Sequence, residues 1–134
     1  MFIERDRLYL FIQPQELEQH EAVNPKVVDM AYQSAIGRIN SEIGYIYDLP
    51  AMLAKEDDER DETLLWLVTV LTCATIVGSS VNIAPLLQDE YINVQKRLQE
   101  LKSGFSTMLD AEKKDLDTAN ARAEIVYNNK KFLG

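Results

Sequence analysis

Apolar side chains recur at spacings of three and four over most of the chain ahead of Gly104, which is the periodicity of helices that bury one face. Val28, Ala31, Tyr32, Ala35, Ile39 and Ile43 form one such stripe and predict a helix over about Pro25–Ile43. Asn24-Pro25 suits its start. Asparagine can cap, and proline fits the first helical position because its missing N–H would be unpaired there anyway. Gly44 follows where a left-handed terminating residue is wanted. Leu87, Tyr91, Val94, Leu98 and Leu101 form a second stripe, in a helix that starts near Asn82–Pro85 and runs to Lys102 before Ser103-Gly104. Its other face, with Gln88, Gln95, Lys96, Gln99 and Glu100, is solvated. Between these two, about Asp61–Val77 reads as a helix apolar nearly all round, hence the most buried of the three. Asp58, Asp61 and Glu62 complement the N–H groups at its start, and Gly78-Ser79-Ser80 ends it.

The flanking segments are less regular. Leu8, Phe11 and Ile12, with Phe2 and Ile3 ahead, suggest a short helix ended by Pro14, which also opens a second short helix, Gln15–Glu21. This opening reads as a peripheral flap. Tyr45-Ile46-Tyr47-Asp48-Leu49-Pro50 reads as an apolar but irregular turn. Asp110–Arg122 is polar and almost free of large apolar residues, whereas Ile125, Val126, Tyr127, Phe132 and Leu133 are too apolar for a merely solvated end. An arm that orders on a neighbouring subunit accounts for them. The expected fold is all-α: a small bundle of three main helices plus short N-terminal helices, with an extended C-terminal arm. Residues 1–104 form the helical core domain, with an acidic linker at 51–62, and 105–134 the C-terminal extension.

Charge narrows the function. Acids outnumber bases 22 to 14 over 134 residues, for a net −8. Residues 1–62 hold 14 acids and 6 bases against 8 of each in 63–134, so the surplus lies in the first half. Lys55–Glu62 supplies half of it and must face water. Affinity for phosphate backbones comes from Lys and Arg displacing counterions, so specific nucleic-acid binding is not expected. The uncharged run Thr63–Gln88 carries Thr69, Thr72, Thr75, Ser79, Ser80 and Asn82. Its densely apolar part stops near Val77, short of the roughly 20 residues of a span, so a core helix and no membrane are expected. Met1–Arg7 lacks the basic leader and apolar segment of a signal peptide.

Candidate chemistry is sparse. Cys73, the only cysteine, sits in the apolar run and reads as a buried, inert thiol. His20, the only histidine, lies in a polar stretch and reads as a surface residue. The cluster Glu56-Asp57-Asp58-Glu59 has the ligand type for Ca²⁺ but lacks the spaced oxygens and central glycine of a calcium loop. No glycine belongs to a phosphate-cradling loop. No catalytic residue, metal ligand or cofactor site is therefore nominated, and the chain is expected not to be an enzyme.

One segment carries a resemblance. Arg38-Ile39-Asn40-Ser41-Glu42-Ile43-Gly44-Tyr45-Ile46-Tyr47-Asp48-Leu49-Pro50 resembles a signature of small Mu-like prophage structural proteins, in which an alanine-bearing helix runs into a Tyr-x-Leu-Pro turn. Ile39, Asn40, Ile43, Gly44, Tyr47, Asp48, Leu49 and Pro50 fall on that pattern without a gap. The short opening helices and the closing Lys130-Lys131-Phe132-Leu133-Gly134 echo the same family. Tyr45 and Ile46 depart from it, replacing a usual Gly-Arg. The long apolar helix lacks the family's Arg and Tyr. The resemblance implies a virion morphogenesis protein of the head–tail connector, or head-completion adaptor, type: a helical subunit of a homo-oligomeric ring between portal and tail proteins. DNA would only pass through it. Such a protein assembles in the bacterial host cytoplasm and ends in the virion. The alternative is a non-enzymatic adaptor or regulatory module that binds a host or phage protein.

Overall fold

After Glu62, the run to Val77 holds no charged residue, and a helix with that composition must be covered on every side. The structure, a computed structural model, describes residues 1–78 and 83–108, and shows how the covering is done. The helices are α1 (Arg5–Leu8), α2 (Pro14–Val23), α3 (Val27–Ile43), α4 (Leu49–Leu53), α5 (Glu62–Val77) and α6 (Pro85–Ser103). A 3₁₀ turn at Asp57–Glu59 precedes α5. The described fold is all-α, a small bundle in which α3, α6 and α1 pack around α5.

Each main helix turns its expected stripe inward. Ala31, Tyr32, Ala35, Ile39 and Ile43 are buried on α3, and Leu87, Val94, Leu98 and Leu101 on α6. Within α5 the hydroxyls of Thr69 and Thr75 donate to the carbonyls of Leu65 and Leu71 at 2.6 and 2.7 Å, so two polar groups are satisfied inside the helix. The hydroxyl of Thr72 is buried without a partner among the described residues. Trp66 Nε1 donates to Glu90 Oε2 at 2.5 Å and ties α5 to α6.

Four expectations are corrected. The third helix starts at Val27 and not Pro25: Asn24 Oδ1 accepts from the Lys26 amide at 3.1 Å and its carbonyl from Val27 at 3.0 Å, which closes a turn first. Gly44 is right-handed, at φ −66° and ψ −16°, because the chain continues in a tight turn with the Ile46 and Tyr47 amides both on the Ile43 carbonyl. Its glycine is needed for space, since a Cβ there would collide with the carbonyl and side chain of Asn40. By contrast Gly104, past α6, does take the left-handed conformation, at φ +84°.

The opening residues form part of the core and not a flap. Phe2, Ile3, Leu8, Ile12 and Leu17 are all buried. The Phe2 amide donates to Tyr32 Oη at 3.1 Å, and Arg60 holds this strap by donating to the Phe2 carbonyl at 2.9 Å while pairing with Glu4. Arg5 likewise pairs with Glu21, joining α1 to α2. The acidic linker, finally, is not wholly solvated. Asp61 is 8% exposed, and its carboxylate accepts from the Leu64 amide at 2.8 Å as the N-cap of α5.

Candidate functional site

The residues of the Ile39–Pro50 segment lie at one corner. Ile39 and Ile43 are buried at the end of α3, Gly44 makes the close approach above, and Tyr47 and Leu49 are buried past the turn. Asp48 caps α4 by accepting from the Ala51 amide at 3.2 Å, and Pro50 fits its first turn. What read as an irregular turn is thus a helix end, a turn and a helix start. Asn40 is exposed and Pro50 also faces outward.

This corner also holds the end of α6. Tyr45 Oη donates to the Lys102 carbonyl at 3.2 Å, and Lys102 Nζ lies 3.4 Å from a Glu42 carboxylate oxygen. Beyond α6 the chain returns to the same place. Met108 is buried, and its amide donates to Tyr47 Oη at 3.3 Å. Just before it, Phe105 is 88% exposed. The expected arm residues Ile125, Val126, Tyr127, Phe132 and Leu133 lie outside the described residues.

A second feature lies midway along α3. A cleft of about 270 Å³ opens between α3, the end of α5 and the start of α6. Its apolar walls include Ala35, Leu71, Ala74, Val77 and Leu87. Arg38 and Tyr91 stand in it, with Arg38 Nη1 donating to Tyr91 Oη at 2.9 Å. The guanidinium holds the Tyr91 hydroxyl below its usual ionisation range, by hydrogen bond more than by charge at a distance, while burial works the other way. Sequence reasoning missed this pair, because the two residues are 53 positions apart and each fits a helix face on its own. The one available signal was that Tyr91 is the only hydroxyl-bearing member of the α6 stripe.

The remaining candidate residues stand apart from both places. Burial pushes the Cys73 thiol up to about 12, and its Sγ lies 3.7 Å from the Leu8 carbonyl, so the nucleophilic thiolate is suppressed. His20 Nε2 sits 3.8 Å from Glu16 on α2. Glu56, Asp57, Asp58 and Glu59 do not converge; among the described residues no group of three or more His, Cys, Asp or Glu could hold a metal ion. No described helix is long and apolar enough to cross a membrane.

What the described fold and surface define is a small helical bundle with a closed corner and an open, partly cationic cleft between α3, α5 and α6. Comparison with protein families, curated proteins and solved structures finds no match for this chain.

Proposed function

We propose that the chain is a virion morphogenesis protein of a phage or prophage, a subunit of a head–tail connector ring that joins portal and tail proteins. The observation that carries this reading is the segment Ile39–Pro50, in which Ile39, Asn40, Ile43, Gly44, Tyr47, Asp48, Leu49 and Pro50 resemble the signature of small Mu-like prophage proteins while Tyr45 and Ile46 depart from it. The all-α bundle suits such a subunit. The net −8 suits a ring through which DNA passes without being gripped, since an acidic surface offers phosphates no counterion release. A ring needs a heterologous interface, in which one surface meets a different surface on the next copy. The apolar residues Ile125–Tyr127 and Phe132-Leu133 supply the donor side of that interface. The subunit acts without catalysis or cofactor, in the host cytoplasm during assembly and then in the virion.

Sedimentation velocity on the full chain, with electron microscopy of the heaviest species, tests this. Concentration-dependent association into a closed ring is the expected result. Deleting residues 123–134 should abolish association and leave far-ultraviolet circular dichroism of the helical bundle intact. A chain that stays monomeric at every concentration sinks the reading, and unchanged assembly of the deletion variant rejects the arm.

A further inference from the structure

Among the described residues Arg5, Arg7 and Arg60 each reach a glutamate carboxylate, whereas Arg38 and Arg97 do not, and of these two only Arg38 stands in the cleft. Its guanidinium donates to Tyr91 Oη, which leaves most of the five guanidinium donors without a partner among the described residues. The guanidinium is also part-buried, at the side of a cleft that sets aliphatic side chains such as Ala74 and Ile83 beside Ser34, Thr75 and Gln88. The matching ligand chemistry is a carboxylate next to aliphatic side chains, where desolvation strengthens the ion pair and the walls take up the apolar part.

Beyond Met108 the acids are Asp110, Glu112, Asp115, Asp117 and Glu124. Only Glu124 is followed directly by a run of large apolar residues, Ile125-Val126-Tyr127. We propose that the cleft between α3, α5 and α6 is the acceptor for residues 124–127 of a second copy, with Glu124 against Arg38 and the following side chains against the accessible lining residues Ala74, Thr75 and Ile83. The proposal rests on the connector reading and names the surface that receives the exchanged arm. Reach permits it. Residues 109–123 can extend to about 50 Å at roughly 3.3 Å each, enough to leave one subunit and enter its neighbour. Donor and acceptor are different surfaces, as ring closure requires.

Two full-chain cysteine variants test the geometry, Ser34→Cys at the cleft and Ile125→Cys in the arm. Cys73 is buried and stays a spectator. Mixed and oxidised, the two should give a disulfide-linked heterodimer that neither gives alone. If no heterodimer forms, or if a chain carrying both cysteines closes on itself while still monomeric, the proposal is overturned. Charge reversal gives a second readout. Arg38→Glu should weaken the association constant at least about tenfold, and adding Glu124→Arg to the same chain should restore it. If the unaltered chain forms rings and Arg38→Glu associates equally well, the acceptor is wrong and the connector reading stands. If the unaltered chain never associates, the connector reading itself has failed.

Discussion

Arg38 reaches from α3 to α6 and donates to the hydroxyl of Tyr91, and this one contact has a signature in solution. The guanidinium favours the phenolate, so Tyr91 ionises below the ordinary tyrosine range. Of the six tyrosines, one should ionise ahead of the rest in an ultraviolet titration of the folded protein, and Arg38→Gln should remove that early step. If the earliest tyrosine is unmoved by Arg38→Gln, the pairing is not made in solution. The sign for stability follows. Because the folded-state value lies below the unfolded one, Tyr91 adds stability as pH rises through the folded value and is fully effective only above the unfolded value; the contribution is lost as pH falls back. Cys73 acts oppositely. Its thiol, raised from 9.0 to about 12, contributes fully below pH 9 and loses that contribution as pH rises towards 12. Cys73→Ala should flatten that alkaline decline in urea-denaturation midpoints, and an unchanged decline would show that other groups cause it.

At the scale of the element, α5 depends on how it begins. Asp61 is nearly buried and its carboxylate satisfies the Leu64 amide, a donor with no partner inside the helix. Asp61→Ala should cost about 1 kcal/mol by urea denaturation, and Asp61→Asn, which keeps the acceptor, should recover most of it. Equal losses in both would mean that charge, not capping, is what Asp61 supplies. The three long helices were legible because each runs long enough for a stripe to repeat. α4 was not. Five residues hold no repeat, so Leu49–Leu53 could be found only through its cap and proline, which look the same in a plain turn. The start of α3 slipped for a related reason: Asn24 has the right chemistry to cap a helix, but spends it on a turn at Lys26.

For the whole molecule, the decisive point is how α5 is covered. α3 and α6 leave it one open side, and the first residues of the chain close that side through α1. Leu8 is 1% exposed and Leu10 is 63% exposed. Leu8→Ala should therefore cost about 3 kcal/mol, whereas Leu10→Ala should change stability little. Equal and small effects would return residues 1–12 to the status of a flap. The expectation of a flap failed because α1 is four residues long, too short to show a stripe. The all-round apolar character of α5 already required a further cover, and that argument outweighs local periodicity. The cleft was illegible for a different cause, since its two polar groups meet only after α3 and α6 have docked.

Met108 gives the rest of the chain a fixed origin. Its side chain is buried and its amide is held by Tyr47, so whatever follows is tethered at the motif corner rather than at the end of α6. A tethered binding segment acts at a local concentration set by the length and starting point of its leash. Loosening the anchor, as Tyr47→Phe would by removing the acceptor, lengthens the leash by the residues between Gly104 and Met108. On the arm exchange proposed above, the corner would then set how often residues 124–127 meet the acceptor cleft, without touching that cleft itself.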